Sequence, residues 1–161
     1  MLKVYKHAVL SALGGRVAIY AVGEAMDVAN EMSKMFGAGF DDNGMKLPSP
    51  ADVFLSQYRD EKARKEQDCD SKMMLDGATM YNLGGIYVIH AEKKPALGIL
   101  VHEVFHVVHA LSESCGIHDV EFSAHIGQYL FELFAECPTI KTCEVRSDGL
   151  VQHDLFEEGL K

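Results

Sequence analysis

The residues best suited to chemistry stand in one five-residue run, His102-Glu103-Val104-Phe105-His106, an H-E-x-x-H pattern. On a helix advancing about 100° per residue, His102 and His106 lie only about 40° apart, so both imidazoles leave the same face at a spacing suited to one Zn²⁺. Glu103 sits one residue round, beside the ion rather than on it. From there a carboxylate can take a proton from metal-bound water and return it to a leaving amine, the work of a general base and then a general acid. The alternative reading is two ordinary core histidines on an amphipathic helix.

The element that must position this run is a helix opened by Pro95 and closed by Gly116. Its projection puts Leu97, Leu100, Val101, Val104, Phe105, Val107, Val108 and Leu111 on one broad apolar arc. His102, His106, His109 and Glu113 form a thin polar stripe opposite. A second helix, capped by Asp119 and stopped before Pro138, repeats the design with Glu121, His125, Gln128 and Glu132 between apolar flanks. Two such stripes facing each other would make a site, and the fourteen residues between His106 and Glu121 allow a turn that brings Glu121 back over the histidines. A first-turn glutamate is also favoured by the helix dipole alone, which is the bland account of Glu121. His125 one turn on is either a rival ligand or a group acting on the substrate.

His102-Glu103-Val104-Phe105-His106 followed by E-F-S-A-H at Glu121–His125 resembles the short gluzincin-like metallopeptidases of the ImmA/IrrE kind and related small phage-borne proteins. The resemblance covers Ile86 to Phe134. It implies Zn²⁺ on His102, His106 and Glu121, the last through an E-x-x-A element, with Glu103 as catalytic base. His125 departs from the aromatic residue that relatives often have there, and could either stabilise an oxyanion or compete with Glu121 for the metal. It also implies that the strand Ile86-Tyr87-Val88-Ile89-His90 is the edge strand against which an extended peptide is held. The longer HExxHxxGxxH of metzincins is absent, because no glycine stands three residues after His106.

The rest of the chain supplies the scaffold. Its 161 residues, 48% hydrophobic and 24% charged, suit one domain with a real core spanning 1–161. A formal charge of -9 disfavours nucleic acid and anionic membrane surfaces as partners; the peptide or protein substrate follows from the H-E-x-x-H reading and the resemblance. No apolar run has membrane-spanning length, no signal peptide is expected, and four cysteines without a C-x-x-C pair read as free thiols, so a reducing cytoplasm is the expected compartment. Leu2–Val9 and Arg16–Val22 read as strands, Glu24–Met35 as a helix and Gly37–Pro50 as a surface loop. The mixed-charge tract Arg59–Asp70 reads as a solvated helix face, and Ala78–Tyr81 with Ile86–His90 as a hairpin around Asn82-Leu83-Gly84-Gly85. The tail Thr139–Lys161 shows short alternating segments.

The expected fold is therefore α+β of minimal zincin type, a small twisted sheet packed on two site helices. The expected function is zinc-dependent hydrolysis of peptide bonds. Its rivals are a binding or regulatory protein that keeps a structural or sensing zinc site, and a helical scaffold without metal.

Overall fold

The computed structural model describes residues 1–67 and 77–135. In chain order the elements are β1 (Val4–Leu10), a short 3₁₀ turn, β2 (Arg16–Val22), α1 (Ala25–Met35), α2 (Pro50–Gln67), β3 (Thr79–Asn82), β4 (Ile86–Ala91), α3 (Leu97–Cys115) and α4 (Val120–Phe134). The fold is α+β: one four-stranded mixed sheet, ordered β1-β2-β4-β3, carries helices on its faces. β1 pairs antiparallel with β2 and β3 antiparallel with β4, while β2 and β4 run parallel.

Alternation along the strands divides the core in two. Ala18, Tyr20 and Val22 of β2, with Tyr87 and Ile89 of β4, face Leu100, Val104, Val107 and Leu111 of α3 and Ile126, Tyr129, Leu130 and Phe134 of α4. Val17, Ile19, Ala21 and Val88 point the other way, onto Ala25, Val28, Ala29 and Met32 of α1 and Ala51 and Phe54 of α2. The two expected site helices thus cover only one face, and α1 and α2 cover the other. Ile86-Tyr87-Val88-Ile89-His90 is not an edge strand. It lies between β2 and β3, as its near-continuous apolar run requires of a strand buried on both faces.

Local chemistry fixes the ends that matter. Gly84 (φ 71°) and Gly85 (φ 110°) make the β3–β4 turn in a region that L side chains rarely adopt, and Asn82 Oδ1 accepts from the Gly84 N–H at 3.1 Å. Gly116 closes α3 with φ 64°, its N–H on Glu113 O and the Ile117 N–H on Ser112 O at 2.9 Å. The Asp119 side chain accepts from the Phe122 N–H at 2.9 Å and starts α4. Ahead of α2, Ser49 and Asp52 satisfy each other's backbone N–H groups, a reciprocal cap that also places Pro50 at the first helical position. Of the Gly37–Pro50 loop, Phe40 and Lys46 form an isolated bridge. Cys115 is a half-buried free thiol packed on the core, whereas Cys69, Cys137, Cys143 and the Thr139–Lys161 segments lie outside the described residues. No helix among the described residues is long and apolar enough to cross a membrane.

Candidate metal centre

α3 lies on the sheet through Leu100, Val104, Val107 and Leu111, so the residues opposite that face look outward. His102 and His106 are both exposed. Their Nε2 atoms approach to 3.1 Å, one ring nitrogen donating to the other, with ring centroids 4.6 Å apart and the planes near perpendicular at 87°. Glu103, one residue round, faces β3 and is 8% exposed.

Burial pushes the Glu103 carboxyl above the ordinary range, opposed by the neighbouring His106 and His102, by the Met80 backbone N–H that it accepts from, and by the charge of Lys65. The side chain is therefore a desolvated carboxylate held against an edge strand, a setting that raises its basicity relative to a solvated glutamate.

The three residues open into a cavity of about 630 Å³. Gly98 and Ile99 of α3 extend its floor, Thr79 and Met80 of β3 form one wall, and Glu61 and Lys65 of α2 close the side. Lys65 Nζ donates to Thr79 Oγ1 at 3.1 Å and pairs with Glu61 at 3.6 Å, which fixes a cation on the cavity wall. The charged tract expected to be merely solvated thus sends two side chains into the candidate site. The signal was present in the spacing, because Phe54, Tyr58, Glu61 and Lys65 repeat at i, i+4, i+7 and i+11 and so share the stripe of α2 that faces the sheet.

Glu121 and His125 are placed elsewhere. α4 runs back antiparallel, with Ser123 Oγ 3.1 Å from Ser112 Oγ and the Gly127 backbone set against Val108. That register sets the first turn of α4 opposite the last turns of α3, roughly 12 Å of helical rise beyond His106. Neither Glu121 nor His125 lines the histidine cavity, and both are exposed.

The expectation that the two polar stripes face each other is not met, for a physical reason. Both helices lie side by side on one sheet face, so each spends the greater part of its apolar arc on the sheet and its neighbour and gives its thin polar stripe, with Phe105 and Val120 at the margins, to solvent. Contact between the helices falls instead to Ser112, Ser123 and Gly127, small residues that allow close approach. His109 joins Glu113 at 3.4 Å on the exposed surface. His90 is buried on the far face of the sheet, its Nε2 bonded to Gly23 O at 2.8 Å and its ring edge-on to Phe54 and Tyr58.

Two Zn–N bonds of about 2.05 Å at the tetrahedral angle set the ligand nitrogens about 3.3 Å apart. The 3.1 Å spacing of His102 and His106 fits that requirement with almost no movement. Among the described residues no third His, Cys, Asp or Glu joins the pair in a cluster of metal-binding shape. Compared with known proteins, the chain matches no family model, no curated protein and no solved structure.

Proposed function

We propose that the protein is a zinc-dependent hydrolase of peptide bonds, with His102 and His106 holding the ion and Glu103 handling the proton. The observation that carries this reading is the convergence of the two Nε2 atoms at 3.1 Å beside a buried carboxylate in an open cavity. Zinc bound there would supply Lewis acidity towards a carbonyl and lower the pKa of a bound water towards about 7.

The remaining steps belong to the chain. Glu103, kept basic by burial and aimed by the Met80 N–H, takes a proton from the attacking water and passes it to the departing amine. Lys65, anchored by Thr79 and Glu61, puts an ammonium donor on that side of the cavity, beside the Glu61 carboxylate, suited to a substrate carbonyl. β3 is the edge of the sheet beside Glu103 and so the strand along which an extended peptide would pair, the role first expected of β4; its Met80 N–H is already given to Glu103, and Asn82 O accepts from Gln57, so pairing falls to the other edge groups. The reading does not rest on Glu121, because the register of α4 keeps it away from the pair.

Protein purified without a histidine tag should take up about one zinc per chain and cleave members of a mixed peptide library followed by mass spectrometry. Glu103→Gln should keep its zinc and lose about two to four orders of magnitude in turnover. Zinc uptake with no cleavage of any peptide by the wild type would favour a sensing or structural site. A folded protein that takes up no zinc would remove the proposal altogether.

A further inference from the structure

An apolar groove of about 550 Å³ runs between α3 and α4, away from the histidine cavity, lined by Val101, Phe105, Val108, Val120, Ala124 and Phe131. Phe105 is 69% exposed, although the sequence pattern assigns it to the apolar arc of α3, and Val120 is 78% exposed. The close approach at Ser112, Ser123 and Gly127 makes the trough, since small side chains between the helices leave the larger flanking ones standing above it. Large apolar side chains gathered in one open trough, rather than scattered singly, suit an interaction surface.

The rim is acidic. Glu113 stands 3.4 Å from His109, and Glu132 accepts from Gln128 at 2.9 Å; His109 and Gln128 both line the groove. Asp119 directly precedes Val120. From Pro95 to Ile140 the chain has no lysine or arginine. Lys6 and Arg16 reach the two helices at the carbonyls of Leu133 and Ser114, and neither lines the groove.

We propose that this groove docks an amphipathic helix of a partner protein, its apolar side on Phe105, Val108 and Val120 and its flanking lysines or arginines on the acidic rim. A trough between two helices is shaped for a third, whose anchors repeat at i, i+3 or i+4, and i+7. Charge sorts the possible occupants. Residues 136–161 bring Lys141, Arg146 and Lys161 against Glu136, Glu144, Asp148, Asp154, Glu157 and Glu158, so the chain's own C-terminal segment is repelled on balance. A second copy carries the same charge of -9 and sets acidic rim against acidic rim, and an anionic membrane is repelled likewise. The docking surface is independent of the metal reading.

The test titrates the full chain into a fluorescent synthetic helix of about 14 leucines and lysines patterned with one apolar face, followed by anisotropy. A scrambled peptide of the same composition and a leucine–glutamate counterpart serve as controls. The amphipathic leucine–lysine helix should bind saturably, at least about tenfold tighter than either control, and weaken as salt is raised from about 50 to about 300 mM. Phe105→Ser and, separately, Val120→Lys should each weaken binding at least about tenfold; both sites are exposed, and an unchanged thermal melt confirms the fold.

Equal binding of the scrambled peptide, or indifference to both substitutions, overturns the proposal. So does sedimentation showing a dimer that Phe105→Ser dissolves. A nitroxide at Val120→Cys, placed in a chain whose Cys69, Cys115, Cys137 and Cys143 are replaced by alanine and whose melt is unchanged, that broadens the amide signals of residues 136–161 would also overturn it, by identifying the occupant as the chain itself.

Discussion

Zinc should raise the thermal stability of the protein, and removing either imidazole of the pair should abolish most of the rise. The 3.1 Å between the Nε2 atoms of His102 and His106 needs to open by only about 0.2 Å to meet two tetrahedral Zn–N bonds. Little of the binding free energy is therefore spent on rearrangement. At free zinc about 100 times the dissociation constant, preferential binding to the folded state contributes about 2.7 kcal/mol. For a domain of this size that corresponds to a rise of about 5–10 °C in Tm.

His102→Ala leaves one imidazole. If the dissociation constant rises about 100-fold, the same zinc concentration yields only about 0.4 kcal/mol, or about 1–2 °C. Because His102 is exposed, the metal-free variant should melt within about 2 °C of the wild type. Calorimetry of untagged protein, in chelator and then in buffered zinc, reads all of these, with His109→Ala as a control that keeps the full rise. A wild type insensitive to saturating zinc, or a His102→Ala variant with an undiminished rise, would refute the reasoning.

Glu121→Ala and His125→Ala should each change zinc affinity by less than about twofold by competition titration, since α4 holds both away from the pair; a loss of tenfold or more in either would mean that α4 adopts another register when metal binds. His90 is buried and its pKa is pushed below the ordinary imidazole value by desolvation, so the unfolded chain takes up a proton first as pH falls. Its contribution is fully present above about pH 6.5 and is lost below it at up to about 1.4 kcal/mol per pH unit until the folded ring itself protonates; urea titrations in chelator between about pH 7 and pH 5 should show a shallower loss in His90→Gln, and equal slopes would count against it. Phe54→Ala empties a fully buried position edge-on to Tyr81 and His90 and should cost about 3–5 kcal/mol in the same assay, a loss under about 1 kcal/mol being incompatible with the packing described.

What the sequence discloses is what depends on neighbours a few residues away. The pairing of His102 with His106 follows from helical period alone, Gly116 and Asp119 mark their helix ends through local chemistry, and Gly84-Gly85 marks its turn. The reciprocal cap at Ser49 and Asp52 is equally local, but the Gly/Asp/Pro-rich stretch around it reads as a loop through Pro50. What stayed hidden depends on partners far along the chain. The place of β4 inside the sheet follows from pairing with β2, and the separation of Glu121 from the histidines follows from where Ser112, Ser123 and Gly127 let two helices touch. A polar stripe between apolar flanks indicates that a helix is buried on most sides, but not whether its stripe meets another stripe or water. Lys65 shows the converse, a residue in an apparently solvated tract whose stripe is turned inward by Phe54 and Tyr58.

The parallel pairing of β2 with β4 also sets an order of assembly. Every residue pair across those strands, from Val17 with Ile86 to Val22 with Ala91, is separated by 69 positions in the chain. Closing so large a loop comes before any contact rewards it, which makes this step the slow one in refolding from denaturant. During synthesis the order is different. All four strands of the described residues precede α3, so on a ribosome adding about 5–20 residues per second their pairing can be complete before His102 leaves the exit tunnel. The histidine helix then meets a finished platform and need only settle onto it. Newly made chains should therefore acquire the cavity faster, and with less aggregation, than chains diluted from urea, whose α3 exposes its apolar arc while the central strands are still finding each other.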